Sequence, residues 1–234
     1  MPATTKAPPR RRRRQYGGHA AVAGAGLAGA RGGGAADGRG RGGRGGDGGR
    51  SFDEDEARAR SATMAVWLVV AAVLIMFMGF TSTYVVRSAE PGWVRERLPG
   101  LLWLNTAVLV ASSVTMEAVR WRLRRGDVAG ARRALALTAV LGLAFVAGQV
   151  TAWLQWSAAG FGVNRSTHAA FFYLLTGTHA AHVTGGLLAL IYGLVRFARP
   201  AATARALAGT ATNIAYYWHF VDVLWLYVFA LLLL

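Results

Sequence analysis

Two short stretches place ionisable side chains inside apolar sequence. "GTHAAHVTGG" (177–186) sets His179 and His182 three residues apart, and "YYWHFVDVLWLY" (216–227) does the same with His219 and Asp222. Residues three apart share one face of a helix, so each pair could offer two ligands to a metal or two hydrogen-bonding groups to a neighbouring helix. His168 lies on the same stripe as His179, about 20° away around the axis but about 16 Å along it. One helix therefore supplies at most two ligands, and His219 with Asp222 would have to complete a site. The competing chemistry is hydrogen-bond glue between helices, and the spacing together with the neighbouring residues favours it. Gly177, Ala181, Gly185, Ala189 and Gly193 recur at every fourth position, a ridge of small residues that lets another helix come close. The chain has no cysteine, which excludes thiolate metal sites, disulfides and cysteine nucleophiles. It carries no P-loop, GxSxG or HExxH pattern either.

The elements that would position these groups are membrane helices. Of 234 residues, 54% are hydrophobic and mean hydropathy is +0.33. Five runs reach the ~20 residues needed to cross a hydrocarbon core, near 64–86, 101–119, 134–156, 168–195 and 209–234. The expected fold is all-α, a polytopic bundle of five transmembrane helices over 61–234. In that setting His168, His179, His182, His219, Asp222 and Glu117 are each costly in lipid and each a functional hypothesis.

Residues 1–60 hold 13 basic and 6 acidic residues, net +7, in an Arg/Gly-rich sequence with almost no large apolar side chain. Such a segment buries too little to offset its ordering entropy, so a disordered, solvated tail is expected. Arg-Gly repeats can bind RNA and an arginine cluster can target, but lipid attraction accounts for "RRRRR" (10–14) without base reading; nucleic acid is not an expected partner. Loops after the second and fourth runs carry Arg120, Arg122, Arg124, Arg125, Arg132, Arg133, Arg196, Arg199 and Arg205, against Arg87, Arg95, Arg97 and Arg165 on the other side. By the positive-inside rule the N-terminus is cytoplasmic and the C-terminus outside.

At these residues the chain resembles cytochrome c oxidase subunit III, the accessory subunit of haem-copper terminal oxidases. "TGTHAAHVTGG" (176–186) is similar to the family's TG-x-H-x-x-HV-x-x-G, and "YYWHFVDVLWLY" with Trp218 to its YWHFVD-x-x-W. "NTAVLVASS" (105–113), beginning at Asn105, and "LGLAFVAGQ" (141–149) resemble further family segments. The resemblance spans 64–234 and five helices, the shorter bacterial form.

The resemblance implies that His179 and His182 are not metal ligands, and that haem and copper reside in partner subunits I and II. It implies an accessory, non-catalytic subunit in a bacterial cell membrane. Such a subunit packs on subunit I, holds structural phospholipid and sustains proton uptake. Two family carboxylates are absent: Val73 stands at one position, six residues after Trp67, and Ala152 at the other, three after Gln149. Relatives serving a quinol oxidase or a nitric oxide reductase stay open, as does, from another class, a free-standing His/Asp metalloenzyme or proton transporter.

Overall fold

A computed structural model describes residues 47–234, which form five helices: α1 Asp47–Ser88, α2 Leu101–Arg124, α3 Val128–Ala158, α4 Thr167–Phe197 and α5 Ala204–Leu233. All five contain spans long and apolar enough to cross a membrane. The tail expected over 1–60 lies outside the described residues up to 46, and residues 47–60 are already part of α1.

Every helix exceeds its apolar run at one end or both, because caps and loop chemistry set helix ends while hydropathy marks only the lipid-embedded part. Ser166 accepts from the Ala169 N–H at 3.1 Å and Thr203 from Ala206 at 3.3 Å, placing the starts of α4 and α5. Asp127 does the same for α3, accepting from Gly130 N–H at 2.7 Å, and Arg122 Nη1 lies 3.1 Å from its other oxygen. The Gly130 amide first, and then Arg122, hold the Asp127 carboxyl below its ordinary range. α2 runs on through Arg120–Arg124, where arginines suit both helical backbone and the negative end of the helix dipole.

Gly126 and Gly160 close α2 and α3 with φ of 77° and 91°. At each, the glycine N–H and the next N–H fold back onto carbonyls of the last turn (Gly126 to Leu123 and Asp127 to Arg122; Gly160 to Ser157 and Phe161 to Trp156). That pairing requires a left-handed residue, which glycine adopts without Cβ strain.

α2 packs on α3 and α5, and α4 on α3 and α5, so these four close a ring, while α1 lies outside it against α5 and α4. Phe145, Phe172, Trp218 and Trp225 fill the interior. Short polar cross-links join neighbouring helices, among them Thr115 to Thr138 at 2.8 Å between α2 and α3, and Trp153 Nε1–H to Thr176 Oγ1 at 2.9 Å between α3 and α4. The outward faces stay apolar, as Ile75, Val114, Leu154 and Leu188 illustrate, which suits hydrocarbon or a partner helix rather than water.

Candidate functional site

Four of the polar residues that the sequence singles out, Trp218, His219, Asp222 and Glu117, converge on the seam between α2 and α5. These helices run antiparallel, and hydroxyls of α2 meet donors of α5 in order. Trp225 Nε1–H donates to Thr106 Oγ1 at 2.9 Å, and Trp218 Nε1–H donates to Ser112 Oγ at 3.0 Å. Both hydroxyls pass their own proton to carbonyls of α2, Thr106 to Leu102 and Ser112 to Leu109. Trp218 and Trp225 are seven residues apart and their partners Ser112 and Thr106 six, so the two contacts lie about two turns apart on both helices.

The centre of the seam is a four-residue chain. Ser113 Oγ hydrogen-bonds the Asp222 carboxylate and lies 3.0 Å from His219 Nδ1, while His219 Nε2 lies 2.9 Å from Glu117 Oε1. Glu117 is also paired with Arg120 at 2.8 Å. A hydroxyl has one proton, so Ser113 can donate to only one of Asp222 and His219. Each ionisable side chain of the group has a polar neighbour, with Arg120 beside Glu117, which limits the penalty of holding such side chains at membrane depth.

His219 and Asp222 thus meet through Ser113 of α2, and His219 reaches on to Glu117 of the same helix. Trp218, beside them, is 1% exposed and reaches the other two helices of the ring. A Cβ at Gly142 of α3 would stand 2.6 Å from Trp218 Cη2, and one at Gly186 of α4 would stand 3.0 Å from its Cε3.

The opening pair lies elsewhere. His179 is wholly buried, with the Phe145 ring at 5.8 Å and the Trp225 ring at 5.0 Å. His182 donates from Nδ1 to the Thr178 carbonyl at 2.7 Å, its ring meets Phe77 edge-on at 6.0 Å, and its own carbonyl accepts from Tyr217 O–H at 3.1 Å. His168 sits among Trp93, Tyr84 and Trp156 at 5.6, 6.4 and 6.5 Å. The histidines of one stripe therefore face separate aromatic surroundings. Among the described residues, no three His, Asp or Glu side chains are grouped as a metal ion would require.

Asn105 is buried and its amide lies so close to Gly148 that a Cβ there would collide with it. Val73 and Ala152 are both buried in apolar surroundings. The small-residue ridge is used unevenly. Gly193 is tightly covered, with Ile214 Cδ1 2.8 Å from where its Cβ would be, and Gly185 has the Tyr217 hydroxyl at 3.5 Å. Ala189 is half-buried, Ala181 is exposed, and no side chain lies over Gly177. Fourth-residue steps drift about 40° each around the axis, so the five positions wind across roughly 160° of surface and cannot all face one helix.

Sequence reasoning missed Thr106, Ser112, Ser113, Gly142 and Gly186. The available signal was the spacing of about two turns between Thr106 and Ser112 in "NTAVLVASS", close to that of the two tryptophans in "YYWHFVDVLWLY".

Fold and site define a class: an all-α multi-pass membrane protein whose motif residues are engaged in holding its own helices together. The sequence pattern of the family described as Cytochrome c oxidase subunit III matches residues 97–234, covering α2 to α5. The probable cytochrome c oxidase subunit 3 of Mycobacterium tuberculosis is 37% identical over 172 residues, 71% of this chain and 83% of that protein. Its counterpart in Nocardia farcinica is 36% identical over 170 residues, 70% and 82% of the two chains. The cytochrome c oxidase subunit 3 of Synechocystis is 34% identical over 174 residues, 72% and 73%. The chain belongs to the cytochrome c oxidase subunit III family, and is an accessory subunit of a haem-copper oxidase.

Proposed function

We propose that the chain packs against the flank of oxidase subunit I, beside subunit II, in a bacterial cell membrane with its N-terminus cytoplasmic and its C-terminus outside. It holds structural phospholipid there and supports assembly and sustained proton uptake, while haem and copper stay in the partners. The observation that carries this reading is the use of the family motif residues: Trp218, His219 and Asp222 are all spent on α2, α3 and α4. A chain built this way offers a rigid body with apolar outer faces, the form a docking subunit needs. The asymmetry of arginines between the two sides of the bundle supports the orientation.

The test is purification through a tag on this chain. Co-purification of a haem protein that consumes oxygen, with turnover that decays faster when this chain is stripped away, is the expected result. Recovery of the chain alone, or turnover whose lifetime is unaffected by its removal, would refute it.

A second reading rests on Val73 and Ala152, which stand where the family commonly carries carboxylates. They keep open a relative serving a quinol oxidase or nitric oxide reductase. Turnover of the tagged complex with reduced cytochrome c, with quinol and with nitric oxide separates these partners.

A further inference from the structure

Three polar side chains are sealed inside the ring of helices. Asn105 of α2 is 3% exposed, while Gln149 of α3 and His179 of α4 are 0% exposed. Asn105 Nδ2, both amide atoms of Gln149 and both ring nitrogens of His179 have no hydrogen-bond partner among the described residues. An amide or imidazole left unbonded in an apolar interior is strongly disfavoured, and three in one core call for a shared partner.

Their neighbours place the three at one level of the bundle. Trp153 Nε1–H donates to Thr176 Oγ1 and so sets α3 against α4. Consecutive spanning helices run antiparallel, so Gln149, four residues before Trp153, and His179, three after Thr176, lie together about one turn further in. Asn105 presses on Gly148, the neighbour of Gln149. Trp225 closes the level on α5: it donates to Thr106, the residue after Asn105, and its ring lies 5.0 Å from that of His179.

The donor set selects the occupant. Two carboxamides and an imidazole offer both donors and acceptors and require no charge in their partner. A metal ion would want three or four strong ligands, and this level offers one imidazole; the Asp222 carboxylate, nearly a turn from Trp225 along α5, is turned to Ser113. An anion would want a guanidinium or an ammonium, and the buried polar residues include neither. Water both donates and accepts.

We propose that Asn105, Gln149 and His179 form a hydrated polar layer, in which ordered water bridges α2, α3 and α4 through the centre of the ring. A buried water makes about three hydrogen bonds, so about two molecules serve the orphaned atoms. They tie α2 to α4, which stand on opposite sides of the ring, and they fix the level at which the two helices face each other.

The test is water-edited solid-state NMR of the full chain in bilayers, with the histidines labelled with heavy nitrogen and the His179 signals assigned by their absence from His179→Phe. Magnetisation that starts on water should reach the ring nitrogens of His179 at short mixing times, although the residue is sealed from both membrane faces. Asn105→Leu/Gln149→Leu removes the other two partners, and the transfer to His179 should be lost there. An unchanged signal from His182, whose Nδ1 rests on the Thr178 carbonyl of its own helix, reports that the bundle is intact in that variant. No transfer to His179 in the wild type, the result that direct pairing of the three side chains would give, overturns the layer. Undiminished transfer in the intact double variant overturns it as well. The wild-type measurement decides by itself if the double variant does not fold.

Discussion

Trp218 lies so close to Gly142 that a single methyl group added at residue 142 would stand 2.6 Å from the indole Cη2. The same indole is bounded by Gly186 and donates to Ser112, so one side chain of α5 keys together α2, α3 and α4.

Gly142→Ala should therefore destabilise the bundle even though alanine is the better helix former. The propensity gain is at most about 1 kcal/mol, whereas overpacking a rigid ring costs about 1–3 kcal/mol. Gly79→Ala, where no side chain lies within 4 Å, keeps the gain without the clash. Thermal unfolding in detergent should rank Gly79→Ala at or above wild type and Gly142→Ala below it; the reverse order would mean that the indole moves aside freely.

Ser113→Ala should loosen the α2–α5 seam as much as His219→Leu or Asp222→Asn. Among the described residues the hydroxyl is the hydrogen-bond partner of the Asp222 side chain and it also lies on His219 Nδ1, and a carboxylate stranded at membrane depth costs at least ~2.5 kcal/mol. Subunit retained after detergent extraction should fall in all three variants, while oxygen consumption per haem in the remaining complex stays near wild type. The Ser113→Ala/His219→Leu double variant should lose less than the sum of the singles. Full retention with abolished turnover would place this chain of groups on a proton path instead.

Asp127 gives a pH dependence. Its carboxyl sits below the ordinary range because the Gly130 amide and Arg122 favour the charged form. A group whose folded pKa is lowered adds stability above its unfolded value, about 3.9, and loses it as pH falls through the folded value. Asp127→Asn preserves a capping oxygen but not the charge. The wild type should be the more stable of the two at neutral pH, with the gap constant down to the ordinary carboxylate range and closing below it. A gap that does not change with pH would assign the effect to shape alone.

Elemental analysis of the purified chain should find no tightly held haem iron, copper or zinc. His168, His179 and His182 face three separate aromatic surroundings, and His219 is engaged with Ser113 and Glu117. One metal per chain, lost on His219→Leu, would show that these residues regroup around an ion.

Much of the architecture is legible in the linear sequence. Five apolar runs each long enough to span, with arginines gathered in alternate connections, dictate a five-helix membrane bundle, because lipid leaves a spanning segment no option but to satisfy its backbone internally. Family membership is equally legible, since His179, His182, Trp218, His219 and Asp222 occur at fixed spacings in two short stretches. Local helix ends are less so: Asp127, Ser166 and Thr203 act through side-chain caps that hydropathy does not register. Partner choice across the seam belongs to the tertiary structure alone. Periodicity puts His219 and Asp222 on one face of α5 but says nothing of which helix that face meets, so it could not reveal that Ser113 comes between them and that Glu117 takes the other nitrogen of His219. Nor could it show that Gly142 and Gly186, rather than the full ridge from Gly177 to Gly193, would receive the Trp218 indole of α5. Those matches depend on how four helices are rotated about their own axes and slid along one another, and that is settled by packing a bulky indole against the places where a Cβ is missing.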